Sequence, residues 1–217
     1  MKPAVLVTAG PTRERIDPIR FISNYSTGSF GYAIAAEAKR RECRVVLVSG
    51  PTHLEAPRGV KRVMVESALD MKQAVEREFK RCGIVIMAAA VSDWRARKAA
   101  GKKIKRGASV KTLELVENPD ILAGLGKRKG GKVIVGFALE TDSLAKNALG
   151  KLRKKNLDMI VANTVTRKKG AFGSGRTSVV MFDKFNGKNA YNNRTKRELA
   201  KIILDKALAL NIGYGIC

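Results

Sequence analysis

Between Ala9 and Gly31 the chain reads AGPTRERIDPIRFISNYSTGSFG, and many of its residue types are those that bind anions. Ser26, Thr27, Gly28 and Ser29 offer hydroxyls and backbone N–H groups where a helix begins. A phosphate is favoured there by the unpaired amides and by the helix dipole. Arg13, Arg15, Asp17, Arg20 and Asn24 precede them, in an insert far longer than an ordinary strand-to-helix turn. The glycines come in two lots: Gly10 leaves the strand, and Gly28 and Gly31 enter the helix. Ile16, Ile19, Phe21 and Ile22 predict that the insert is a packed loop, forming a second pocket beside a nucleotide. A solvated surface loop is the plainer reading of the same residues.

The elements that must hold this stretch follow from the apolar pattern. Short apolar runs predict strands over Ala4–Thr8, Arg44–Ser49, Val60–Val65, Gly83–Met87, Val133–Phe137 and Asp158–Ala162. Between them, helical patterns start near Gly31, cover Ala68–Lys80 and run through Leu144, Ala148 and Leu149. In the second of these Leu69, Met71, Ala74, Val75 and Phe79 are the expected inner positions. A hairpin over 178–192 turns at Asn186-Gly187, and a last helix covers Lys196–Leu210. The alternation predicts an α/β fold: a Rossmann-like, doubly wound, mostly parallel sheet covered on both faces, in one domain over 1–217.

In such sheets ligands sit beyond the carboxyl ends of the strands. One end runs Met87-Ala88-Ala89-Ala90-Val91-Ser92-Asp93-Trp94. Its small residues let a flat base or ribose approach the backbone. Asp93 suits a hydroxyl or a Mg²⁺-phosphate, or else caps a helix. Another end runs Gly136 to Thr141, where Phe137 packs on a ribose or base or simply joins the core, and Glu140-Thr141 caps the following helix. Residues 99–116 read as a basic flap with Lys103 and Lys105 along one face, suited to covering a polyphosphate, or as a solvated charge run. The flap ends at Glu117-Asn118-Pro119-Asp120, where Asn or Asp caps the next helix.

The net charge is +24, with basic clusters at Lys102–Arg106, Lys127–Lys129, Lys151–Lys155 and Arg167–Lys169. These clusters lack interleaved aromatics and match no nucleic-acid-binding motif, so specific nucleic-acid binding is not expected. A nicotinamide-dependent reductase is the competing enzyme class. Against it, the first turn is no compact G-x-G-x-x-G, and the second strand ends in Ser49-Gly50-Pro51 with no acidic residue for a ribose. Cys43, Cys82 and Cys217 form no CxxC, and His53 stands alone in a turn, so neither zinc nor a disulfide framework is indicated. No run is apolar enough to span a bilayer and no signal peptide is seen, which predicts a cytoplasmic protein without membrane partners.

Taken together, these motifs resemble phosphopantothenoylcysteine synthetase, the ligase of coenzyme A biosynthesis, in its bacterial and archaeal form. The resemblance rests on Ala9–Glu14, Asp17–Asn24, Ser26–Gly28, Ala88–Trp94, Lys103–Arg106, Glu117–Ile121, Gly136–Thr141 and Lys151–Asp158, in the family's order. The flavin-dependent decarboxylase often fused in front of this domain is not in the sequence, which implies a stand-alone synthetase with a separate decarboxylase partner. Two departures stand out. Ser29 replaces a lysine common in the family, and Phe172–Arg176 lacks the acidic/Asn pattern usual there.

The resemblance implies the reaction. The carboxylate of 4′-phosphopantothenate attacks the α-phosphate of CTP, or of ATP as second choice, and pyrophosphate leaves. The amine of L-cysteine then displaces the nucleoside monophosphate from the acyl-nucleotide. Asn24 is expected to hold the acyl-nucleotide or stabilise charge on its carbonyl. Arg20 suits an anionic group, and Lys103 neutralises phosphate charge. Gly28 and Ser29 belong to the phosphate loop. Met87, Ala88, Ala89, Asp93, Asn118, Pro119, Asp120, Ile121, Phe137, Lys151 and Lys155 match the family's nucleotide positions. Mg²⁺ accompanies the triphosphate, with Asp93 as its candidate protein ligand. The family also implies a homodimer with sites completed across the interface.

Overall fold

The computed structural model describes residues 2–107, 112–164 and 175–213. Its strands are β1 (Ala4–Ala9), β2 (Arg13–Asp17), β3 (Arg20–Ser23), β4 (Arg44–Ser49), β5 (Lys61–Met64), β6 (Ile84–Met87), β7 (Trp94–Ala96), β8 (Leu115–Glu117), β9 (Val133–Glu140), β10 (Met159–Thr164), β11 (Thr177–Asp183) and β12 (Lys188–Arg194). Its helices are α1 (Ser29–Arg40), α2 (Ala68–Phe79), α3 (Ile121–Lys127), α4 (Leu144–Lys154) and α5 (Lys196–Gly213).

The main sheet has the order β12-β11-β10-β9-β6-β1-β4-β5. From β5 to β10 every neighbouring pair is parallel, and β11 and β12 add an antiparallel edge. The parallel part is the doubly wound order in which the chain reverses direction across the sheet between β1 and β6. Period-two alternation builds the layers. In β1, Val5, Val7 and Ala9 face α1 and α5, while Leu6 faces the cluster that includes α2, α3 and α4. Central strands such as β6 are buried along their whole length because helices cover both faces. Burying side chains as large as Leu6, Ile84 and Ile86 stabilises the fold by about 1.5–3 kcal/mol each. Among the described residues no helix is long and apolar enough to cross a membrane.

The structure corrects the reading of the insert. It is a hairpin of β2 and β3, not a packed loop, and Ile19 and Phe21 lie exposed on it. The register shifts between Arg15 and Asp17, which disturbs the regular alternation that a sequence reader looks for. The two lots of glycine meet across the base of this hairpin. Gly28 has φ +77°, and a Cβ there would stand 3.0 Å from the Gly10 nitrogen. A Cβ on Gly31 would stand 2.6 Å from the Thr8 carbonyl oxygen, so the first turn of α1 can lie this close to β1 because a glycine is there. With Gly28 as its N-cap, α1 starts at Ser29 rather than near Gly31.

Other boundaries shift for local reasons. Ser67 and Asp70 form a reciprocal capping box that starts α2 and turns Leu69 outward. Ser143, not Glu140 or Thr141, holds the N-cap position of α4, without a side-chain cap bond, because β9 runs on to Glu140. The flap is closed at its base by the β7–β8 pair, so Asp93 precedes a strand and caps no helix. The second strand of the late hairpin is longer than expected, Lys188–Arg194. Residues 108–111 of the flap, Phe172 to Ser174 and Cys217 lie outside the described residues. Cys43 and Cys82 are buried free thiols, and burial pushes both above the ordinary thiol value.

Candidate active site

Beyond the carboxyl ends of β1, β6 and β9 lies a cleft of about 830 Å³. Its position is the switch point of the sheet, where neighbouring strand connections diverge and leave a crevice. The floor is the segment after β6. Thr8 Oγ1 accepts from Ala89 N at 3.1 Å, and Thr12 Oγ1 accepts from Ser92 N at 3.0 Å. Gly10 O accepts from Ala90 N at 3.0 Å, and Pro11 bridges to Ala90. Two buried threonines, Thr8 in β1 and Thr12 just beyond it, thus fix the path of Ala88–Ser92, and the small side chains leave backbone open to a ligand.

Asn24, Gly28, Ser29, Met87, Ala88, Ala89, Asp93, Asn118, Pro119, Asp120, Ile121, Phe137, Lys151 and Lys155 all line this cleft. Asn24 enters from the end of the hairpin, its Nδ2 donating to Ala90 O at 3.0 Å. Asn118 donates to Ser92 O at 2.9 Å and accepts from Arg95 Nη1 at 3.1 Å, which locks its amide. Phe137 packs edge-on against Phe30 with ring centroids 5.0 Å apart. Asp120 caps α3 by accepting from Ala123 N, as expected. It also pairs with Lys155 at 2.9 Å, and the carboxyl of Asp120 is lowered despite its burial. Lys151 pairs with Glu140 at 2.7 Å, and Asn147 donates to the same carboxylate. The cleft therefore presents two ammonium groups, Lys151 from α4 and Lys155 from its C-cap, each held by a carboxylate.

Arg20 and Lys103 are not among the residues lining this cleft. Arg20 Nε donates to Asp17 Oδ2 at 3.0 Å, and Arg20 Nη2 donates to Ile104 O at 2.9 Å. Ile104 N in turn donates to Asp17 Oδ2 at 3.0 Å. Asp17 and Arg20 together grip both sides of the peptide group neighbourhood of Ile104, one residue beyond Lys103. The Arg20 guanidinium holds the Asp17 carboxyl well below the usual carboxylate range. A further bond from Ala100 N to Ile16 O at 2.9 Å fastens the same flap to β2.

Sequence reasoning missed Lys196. It is the first residue of α5, it lines the cleft, and its Nζ donates to Ser29 Oγ. Helices α1 and α5 pack side by side and run the same way, Arg41 at the end of α1 pairing with Asp205 on α5. Their first residues therefore meet at the mouth of the cleft. Desolvation pushes the Lys196 ammonium below the ordinary lysine value. The signal in the sequence was only a capped helix start, Thr195 to Glu198; which helix it lies beside is a tertiary fact.

Fold and cleft define a doubly wound α/β domain whose site sits at the switch point between the first and fourth parallel strands. The chain belongs to the DNA/pantothenate metabolism flavoprotein C-terminal domain family, whose pattern matches residues 2–210. It is 41% identical over 212 residues to the coenzyme A biosynthesis bifunctional protein CoaBC of Bacillus subtilis, covering 97% of this chain and 52% of that protein. It is 43% identical over 208 residues to a protein from an unknown prokaryotic organism named cysteine/cysteine sulfinic acid decarboxylase, covering 95% of this chain and 58% of that one. The chain thus spans little more than half the length of these curated relatives. Among solved structures it is similar to a crystal structure of the C-terminal domain of CoaBC, with a TM-score of 0.83 and 38% identity, covering 97% of this chain and 96% of that one.

Proposed function

We propose that this chain is a phosphopantothenate–cysteine ligase that works through an acyl-nucleotide, with CTP as its nucleotide and ATP as the second choice. The observation that carries the reading is the convergence of Asn24, Asp93, Asn118, Phe137, Lys151 and Lys155 in one cleft at the switch point. Their sequence positions span well over half the chain. The family and the Bacillus subtilis relative, named for coenzyme A biosynthesis, support the same reading.

In the first half-reaction a carboxylate oxygen of 4′-phosphopantothenate bonds to the α-phosphorus, and the bond to the pyrophosphate oxygen breaks. In the second, the cysteine nitrogen bonds to the acyl carbon, loses a proton, and the nucleoside monophosphate leaves. Lys151 and Lys155 offset the charge of the nucleotide, and Asn118 and Phe137 hold its sugar and base. Asn24 directs an amide at the acyl group. Its fixed dipole stabilises the oxyanion as the amine attacks. Lys103 closes over the phosphates with the flap, and Arg20 takes an anionic group of the substrate or holds that flap. Among the described residues no three His, Cys, Asp or Glu side chains converge as a metal site. Asp93, exposed at the cleft, would be the carboxylate to hold a Mg²⁺ carried by the triphosphate. That ion supplies charge neutralisation on the triphosphate when bound.

The reading includes a homodimer. The two hairpins, β2–β3 and β7–β8, lie side by side and expose Ile19, Phe21, Trp94 and Leu115, an apolar surface suited to a second copy.

The test is pyrophosphate release by the purified protein with Mg²⁺, 4′-phosphopantothenate, L-cysteine and either CTP or ATP. Release that requires phosphopantothenate and is faster with CTP is the expected result. Release with ATP alone keeps the ligase and overturns the nucleotide. A folded protein that releases nothing with either nucleotide overturns the whole reading.

A further inference from the structure

The cleft has cationic side chains on opposite sides of the sheet. Lys151 and Lys155 come from α4 and its C-cap, and α4 packs on the face that carries Leu6 and Val85. Lys196 comes from α5, which packs on the other face with Val5, Val7 and α1. Lys196 Nζ donates to Ser29 Oγ, and Ser29 Oγ lies 2.9 Å from Thr27 Oγ1. An ammonium and two hydroxyls at the head of a glycine loop are the donor set that lysine-based phosphate sites use. All three residues line the cleft. Lys196 is half-buried there, and desolvation pushes its ammonium below the ordinary lysine value.

We infer that Lys196, with Ser29 and Thr27, forms a second phosphate subsite, across the sheet from Lys151 and Lys155. The inference rests on the ligase reading, since that reaction brings two phosphorylated molecules into one cleft. The phosphate is either the terminal part of the nucleoside triphosphate or the 4′-phosphate of phosphopantothenate. The shared chemistry is a phosphate carrying a formal double or single negative charge, met by one point charge and rotatable hydroxyls.

Calorimetric titration of the full chain separates the sources. The ligands are CTP against CMP, and 4′-phosphopantothenate against pantothenate. In Lys196→Ala the affinity for one phosphorylated ligand is expected to fall at least about tenfold, the loss of one charge-assisted hydrogen bond. Its counterpart lacking that phosphate keeps its affinity, and Lys196→Arg recovers most of the loss. Ser29→Asp is the second variant. A carboxylate at a helix start favours the fold, yet beside Lys196 it must repel the same ligand. If CTP is the ligand affected, the subsite holds the triphosphate; if phosphopantothenate is, it holds that substrate. Unchanged affinities in all variants overturn the subsite, and so does an equal loss for both members of a pair. A wild-type protein that binds neither CTP nor phosphopantothenate overturns the ligase reading itself.

Discussion

Asn24 shows how one side chain is prepared for chemistry. Its Nδ2 spends one hydrogen on Ala90 O at 3.0 Å, which fixes the plane of the amide at the edge of the cleft. The residue stays exposed, so the rest of the amide is open to a ligand. A donor fixed before the reaction stabilises developing charge without reorganising, and removing one such donor costs about a hundredfold or more in rate. Asn24→Ala is therefore expected to lower kcat for ligation about a hundredfold, while KM for the nucleotide changes by less than about threefold. Steady-state product formation measures both. A loss confined to KM would make Asn24 a residue for ground-state binding alone.

At the scale of elements, the flap is tied down by a latch. Asp17, with its side chain buried, accepts from Ile19 N, Arg20 N, Ile104 N and the Arg20 guanidinium. Its carboxyl is shifted down, chiefly by Arg20. A group lowered on folding stabilises the folded state fully above its ordinary value, about 3.9, and that contribution fades as pH falls from there through the shifted value. The latch is thus intact across the neutral range. Asp17→Asn removes the charge that Arg20 and Ile104 N share. Trypsin cleavage among Lys98 to Arg106 is expected to speed up about tenfold, since the local opening becomes easier by roughly the strength of one charged hydrogen bond. Cleavage within α2 serves as the reference and stays unchanged. Mass spectrometry of the early fragments reads the outcome, and an unchanged pattern would mean that the Ala100–Ile16 bond holds the flap without Asp17.

At the scale of the whole molecule, the two small hairpins form sheets of their own beside the main sheet and carry apolar groups to the surface. Phe21 is 45% exposed and Trp94 46% exposed, where core aromatics such as Phe182 are buried. Arg13 stacks over the Phe21 ring at 4.6 Å, which orders the ring without covering it. Sedimentation equilibrium is expected to give the mass of two chains. Phe21→Glu places a charge in that surface and is expected to raise the dimer dissociation constant about a hundredfold or more, as for a truncated interface anchor. A wild-type protein that sediments as a single chain would remove the homodimer from the proposal.

The apolar runs and their spacing determined the layered α/β architecture, because buried parallel strands must be apolar on both faces and amphipathic helices on one. They also determined the strand end at Met87 and the role open to Asp120 as a cap, since both are local, whereas β9 runs past Phe137 to Glu140. The insert was harder to read. Ile16, Ile19, Phe21 and Ile22 looked like interior residues because hydrophobicity alone does not say whether a face meets the same chain. The shifted register at Arg15–Asp17 hid its strands. Lys196 was out of reach for another reason. Its approach to Ser29 spans 167 residues and depends on α5 lying beside α1. Residue type makes a phosphate site available, and the path of the chain decides which lysine arrives at it.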